Sequence, residues 1–461
     1  EEAARRAPGD PGPIVLRAYL RLAAGRLDEA EADLGLALAA GGDRPEILTA
    51  RGICRARIGR ERAFDTAGLP LPLYPEPTLD PARLAPDVRT TLVGARRGVL
   101  DAAPARAPSI EATLALASTH ELLGEGALAW ERYDQAVAAA PEDPTPWEAR
   151  GTYRLAAGRF AGAAADLAVA ETLARDAPPD RAGRLALLAG VALLHRGDVP
   201  GAAARFARAR PLLGEHPLVA FHEGLLAQVE GRPDDACDRF AAALRSGGGR
   251  YAGPALVSLL LRRGALPEAG ELLAQLAPDD RRELFAAELD LARPETSILA
   301  YGRASKLLEA RPGWAPALAL RAAVYLAQSD DPKARRDLEA ADVAYASLPV
   351  VRVLAAEAAT RVRQGDPTAA WNVLALLSAI EPRYAPAWYE RTVLAGGAGA
   401  SEALTEEAVR GALEASPYRA DRVAPLARLL AERFGRAADA IEVVERALRP
   451  APGEPALLHE K

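Results

Sequence analysis

The residues best suited to chemistry in this 461-residue chain are five histidines, two cysteines, several glycine-rich turns and a few paired carboxylates. Their spacing does not assemble a site. His120, His195, His216, His222 and His459 offer no pair at i, i+3 or i, i+4 with a carboxylate partner, so no helix face presents a metal-binding set. Cys54 and Cys237 stand far apart, which excludes a disulfide framework and a cysteine zinc cage, and both are expected to pack in the interior. Gly247-Gly248-Gly249 and Gly396-Gly397-Ala398-Gly399 lack the Lys-Ser/Thr pair of a phosphate loop and read as turns. Asp234-Asp235, Asp279-Asp280 and Asp330-Asp331 fall where helices start, and there a carboxylate meets the positive end of the helix dipole. The expectation is a chain that is not an enzyme, with no cofactor and no metal.

Composition narrows the partner. Fifty-seven basic residues against 63 acidic ones give a formal charge of −6 with no basic block, so neither nucleic acid nor an anionic membrane is the expected partner. No apolar run reaches the ~18 residues of a membrane span. Half the residues are hydrophobic but only 5% are aromatic, and this Ala- and Leu-rich balance favours closely packed helices. Only Lys306, Lys333 and Lys461 are lysines, an arginine bias that suggests a bacterial source. The chain holds no Met and opens Glu1-Glu2-Ala3-Ala4-Arg5-Arg6, which suggests a processed chain or a piece of a longer one. With no signal peptide visible, the cytoplasm is favoured over an exported, processed state.

What positions side chains here is a repeat. Leu22-Ala-Ala-Gly-Arg-Leu-Asp-Glu-Ala30 returns as Leu155-Ala-Ala-Gly-Arg-Phe-Ala-Gly-Ala163. Its glycine recurs at 25, 59, 124, 158, 197, 231, 264 and 365, and an alanine column recurs at 129, 163, 202, 236, 269, 300, 334 and 370, both with a period near 34. Each period splits into two helical stretches, with glycine closing the first and Pro141, Pro312, Pro382, Pro417 or Pro450 stopping the second. Such a pair cannot bury its own apolar stripe, so neighbouring pairs must stack into one core.

Trp147, Gly151, Gly158, Phe160, Ala163, Ala170 and Pro141 resemble the tetratricopeptide repeat signature, and Gly190, Gly197, Ala202, Phe206 and Ala209 repeat it. The resemblance implies an all-α, right-handed superhelical α-solenoid of helix-turn-helix repeats, with a concave groove lined by first helices. Eleven repeats are read at 11–44, 45–68, 110–143, 144–180, 181–215, 216–249, 250–279, 280–313, 314–349, 350–384 and 385–419, and a twelfth at 420–450. The second and eighth read as degenerate. The domain reading is therefore N-terminal repeats over 1–68, a Pro-rich insertion with an irregular helix over 69–109, tandem repeats over 110–450 and a tail over 451–461. The insertion carries six prolines between 69 and 86.

Mapped onto first helices, the groove lining is mixed and mostly uncharged: Tyr19, Ser118, Glu148, Thr152, His195, Phe221, His222, Gln228, Tyr389 and Glu390. Phe221 and Tyr389 are the expected anchors, because aromatic side chains dominate hot spots. No Lys lies on a first helix, so a clamp for a peptide's terminal carboxylate is not expected. The function expected is a protein-protein interaction scaffold that holds a peptide or protein in this groove. The alternatives are a sensor segment of a larger bacterial signalling enzyme and a solenoid that assembles end to end.

Overall fold

The computed structural model describes residues 10–41, 44–63, 81–102, 109–449 and 452–460. Most of the Pro-rich insertion therefore lies outside the described residues. The described residues fold as helices joined by short turns, with one 3-10 turn at Pro81–Arg83 and no strand. They form two compact units that divide between Ala177 and Pro178, inside the span read from the sequence as one array.

The first unit holds α1 (Pro11–Ala23), α2 (Leu27–Gly41), α3 (Pro45–Ala63), α4 (Pro86–Ala102), α5 (Ile110–Leu122), α6 (Gly126–Ala139), α7 (Pro144–Ala156) and α8 (Phe160–Leu173). Helices pair as α1 with α2, α3 with α4, α5 with α6, and α7 with α8. The second repeat is thus not degenerate. It is split, with the Pro-rich segment falling between its two helices. Gly59, read from the sequence as a turn glycine, lies within α3, where a Cβ would meet Leu92 Cδ2 of α4 at 2.4 Å. It serves close helix approach rather than chain reversal.

The second unit continues with α9 (Pro179–His195), α10 (Val199–Leu213), α11 (Pro217–Val229), α12 (Pro233–Arg245), α13 (Gly249–Arg262), α14 (Leu266–Gln275), α15 (Asp280–Ala292) and α16 (Ser297–Ala310). Then come α17 (Ala315–Ala327), α18 (Asp331–Ser347), α19 (Pro349–Arg363), α20 (Pro367–Ile380), α21 (Ala385–Ala398), α22 (Glu402–Ala415), α23 (Ala420–Glu432), α24 (Ala437–Leu448) and α25 (Pro455–Glu460). Successive pairs stack through the unit, including α15 with α16, the repeat read as degenerate. In the tail, α25 packs on α23 and α24 and buries Leu457.

Local chemistry explains the regularity. Gly25, Gly124, Gly158, Gly197, Gly231, Gly264 and Gly365 all take a positive φ of 70° to 81°, the left-handed conformation that a Cβ penalises. All eight alanines of the second column are fully buried, so no larger side chain fits between the paired helices. Asp279 caps α15 by accepting from the Arg282 amide at 2.7 Å, and Asp330 caps α18 from the Lys333 amide.

A polar element repeats with the same geometry. Arg17, Arg150 and Arg321 on first helices each fork onto an aspartate sixteen residues later, Asp33, Asp166 and Asp337, with both nitrogen-oxygen distances between 2.6 and 3.0 Å. All three aspartates are 2% exposed, so each buried carboxylate receives the two-point pairing that offsets its desolvation. In the α11–α12 repeat the signs are exchanged, with Glu223 facing Arg239 at 3.7 Å.

The second unit also folds back on itself. Helix α20 packs against α9 and α11, many repeats earlier in the chain. Asn372 donates to the carbonyl oxygen of Gly197 at 2.9 Å, and a Cβ on Gly197 would stand 2.1 Å from the Ala369 carbonyl oxygen. Helix α20 is apolar on nearly all sides and buried from Ala369 to Trp371 and from Val373 to Ile380, as a helix enclosed by its own chain must be.

Candidate functional site

In the first unit the first helices are α1, α3, α5 and α7, and the repeat puts Tyr19, Ile53, Ser118 and Thr152 in one register. Glu148 lies one turn before Thr152 on α7. Tyr19 is 45% exposed, while Ser118, Glu148 and Thr152 are half-buried. Ile53 is instead packed with Val99, Ala112 and Leu116.

Polar bonds tie these helices together. Arg60 on α3 donates to Ser118 Oγ at 3.0 Å and stands 3.8 Å from Glu121, which accepts from the Tyr133 hydroxyl at 2.7 Å. Arg57 reaches Glu111 of α5 at 2.7 Å. Thr152 is spent locally, donating to the Glu148 carbonyl at 2.8 Å. Burial, and then the negative charges of Glu111 and Glu46, raise the Tyr19 phenol above its ordinary range. The phenol therefore stays a neutral donor on a mildly acidic face.

The second unit departs from the sequence reading. Phe221 is fully buried, with ring centroids 4.9 Å from Tyr251, 5.2 Å from His222 and 5.7 Å from Phe240. His195 and His222 are buried as well, at 2% and 3% exposure. The three residues read as groove lining are core, because helix packing within the second unit, including that of α20 on α9 and α11, encloses them. Each histidine donates its Nδ1–H to a carbonyl four residues earlier, Val191 or Leu218, at 2.8 Å. Burial lowers the His195 pKa to about 4 and that of His222 to about 3, so both are neutral at pH 7. His120 is also buried and pairs with Glu125 at 2.5 Å. Gln228 and Tyr389 are half-buried, the latter against the C-terminal apolar cluster, and Glu390 is exposed.

Trp147 and Trp388, at the same place in their repeats, differ in burial. Trp388 is buried and Trp147 only half so, yet each donates its indole N–H to a proline carbonyl six residues earlier, Pro382 at 2.8 Å and Pro141 at 2.9 Å. Arg391, on α21, was not singled out by the sequence. It is 3% exposed and lies between the Trp371 and Trp388 rings, 4.7 and 5.0 Å from their centroids, and burial lowers its pKa to about 10. The signal available was its position in the Arg150 register, with Glu407 sixteen residues on.

A cavity of about 180 Å³ opens beside Asp342, Tyr418, Arg419 and Leu457. Within its lining Arg419 pairs with Asp421 at 2.8 Å and Arg335 with Glu339 at 2.9 Å. Among the described residues no three His, Cys, Asp or Glu side chains gather as a metal site, and no single helix is long and apolar enough to cross a membrane.

No family model and no curated protein matches the chain. Among solved structures it is similar to the APC/C heterotetramer Cut9–Hcn1, at 13% identity and a TM-score of 0.40, over 98% of this chain and 95% of that one. Naa15/Naa10 bound to HypK-THB matches at 12% identity and 0.27, over 100% and 91%. The human IFIT1 dimer with PPP-AAAA matches at 17% identity and 0.35, over 86% and 99%. With TM-scores below 0.5 these likenesses carry no argument, and the all-α solenoid of tetratricopeptide-like helix pairs stands on the chain's own packing.

Proposed function

We propose that the chain is a non-catalytic interaction scaffold and that its peptide or protein partner lies on the first-helix face of the first unit. One observation carries this reading: Tyr19, Ser118, Glu148 and Thr152 keep solvent access, whereas His195, Phe221 and His222, read into the same groove, are buried. A half-exposed tyrosine beside acidic side chains suits an extended peptide or an apolar helix with basic flanks. The partner is protein and not nucleic acid, the chain works without a cofactor, and the arginine bias is the ground for a bacterial source.

The test uses a photo-crosslinking phenylalanine analogue at Tyr19, at Thr152 or at Val343, which is 76% exposed in the second unit. Peptides selected from a random display library on the whole chain should crosslink from positions 19 and 152 and not from 343. Labelling from 343 alone, or from none, would sink the reading.

A further inference from the structure

The cavity beside Asp342 is walled by α18, by the turn that joins α22 to α23, and by the start of α25. Its lining sets two arginines, Arg335 and Arg419, against four carboxylates, Glu339, Asp342, Asp421 and Glu454. Arg335 engages Glu339, and Arg419 holds Asp421 by a two-point contact. Asp342 and Glu454 are served less well. Asp342 stands 3.7 Å from Arg419 and 3.6 Å from Arg422, within ion-pair range but too far for a hydrogen bond. Burial raises its carboxyl above the ordinary range against the opposing pull of Arg422 and Arg419. Glu454 has no ion pair among the described residues.

Ser416 adds an acceptor that is not charged. It lines the same cavity at 3% exposure, and its amide donates to the Ala412 carbonyl at 3.0 Å, but its hydroxyl has no hydrogen-bond partner among the described residues. Buried hydroxyls are as a rule paired, so one left open beside two underused carboxylates points to a donor from a ligand. Tyr418 fixes the turn, its hydroxyl spent on Asp331 and its ring packed with Tyr325 and Ala334. Leu338 and Leu457 complete the wall with apolar surface.

We propose that this cavity binds an alkylguanidinium group, as an arginine side chain or as a free small guanidine, with Asp342, Glu454 and Ser416 as its acceptors and Leu338 and Leu457 against its methylene stem. A guanidinium carries five N–H donors in a rigid plane and sheds water more readily than an ammonium, so one head can serve acceptors on three elements. The cavity of about 180 Å³ has room for it, since ~150 Å³ holds a benzene ring. The lining's excess of carboxylates over arginines sets the sign of the ligand's charge. The site lies in the second unit and does not depend on the Tyr19 and Thr152 face.

The probe is agmatine, a free alkylguanidine, added to the full chain and followed by saturation-transfer NMR of its methylene protons. A capped Gly-Arg-Gly tripeptide is the second probe and butylamine the control. Saturable binding of agmatine is expected, with butylamine weaker by about tenfold. Tighter binding of the tripeptide assigns the site to an arginine of a peptide or protein, and tighter binding of agmatine assigns it to a small molecule. Asp342→Asn should weaken agmatine by about tenfold. Glu454→Gln breaks no ion pair, so it should weaken binding while leaving the thermal midpoint unchanged. Absence of binding overturns the proposal, whether the cavity is closed in solution or held by the chain's own C-terminal residues. So does equal binding of butylamine, or binding indifferent to both substitutions. Excess agmatine should leave crosslinking from positions 19 and 152 in place, so this site and the first-unit face fail separately.

Discussion

Asn372 on α20 donates its side-chain amide to the carbonyl oxygen of Gly197 at 2.9 Å, joining a helix to a turn 175 residues away in the chain. Gly197 closes α9 at a positive φ, so the glycine that ends one helix also leaves room for another. Gly25 has a similar φ of 72° but nothing within 4 Å of a would-be Cβ, and it provides the control.

Gly25→Ala should cost about 1 to 2 kcal/mol, the strain of a left-handed alanine. Gly197→Ala should cost more, because its Cβ must also displace the Ala369 carbonyl from 2.1 Å. Urea unfolding of both variants measures the difference. Equal costs would mean that α20 does not sit on Gly197 in solution.

Phe221→Ala should lower stability by about 3 to 5 kcal/mol, the range for a buried phenylalanine. The sequence reading expects the same change to weaken binding without unfolding. Calorimetry with and without a selected peptide separates the two, and an unaltered transition would return Phe221 to a surface role.

Why one residue reads correctly and another does not follows from what a period encodes. Glycine and alanine columns report contacts within a helix pair, so the left-handed turns and the buried Ala163 are legible at residue level. The return of α20 to α9 depends on small rotations summed over several repeats, and no single 34-residue unit carries that sum. A trace of it was present: residues 369–380 are almost all apolar, a pattern suited to enclosure and not to a half-solvated second helix. The split second repeat was hidden because Gly59, 34 residues after Gly25, falls in phase with the turn glycines although it lies within α3.

Asp166→Ala should destabilise the first unit by about 3 to 5 kcal/mol, leaving Arg150 and Arg154 without the buried carboxylate that both engage. Exchanging the signs, Arg150→Glu with Asp166→Arg, should recover part of that loss, since Glu223 and Arg239 hold the inverted pair at the same spacing. A double-mutant cycle gives the coupling. A coupling of zero would reduce the repeated fork to a packing feature.

Acid should unfold the second unit through its two core histidines. Their folded pKa values, about 4 for His195 and about 3 for His222, lie below the ordinary value of 6.5, so the folded state binds fewer protons than the unfolded chain as pH falls. The neutral form is favoured in the core, hence stability is full above about pH 6.5 and falls below it by about 1.4 kcal/mol per pH unit per histidine. The loss continues until the folded-state pKa is reached. His222→Phe keeps an aromatic ring beside Phe206 and Phe221 while removing the titrating nitrogens, at the expense of the bond to Leu218. Denaturant midpoints at pH 7 and pH 5 should therefore differ less in His222→Phe than in the parent. An identical difference would show that His222 is already accessible to protons in the folded chain, against its enclosure in the second unit.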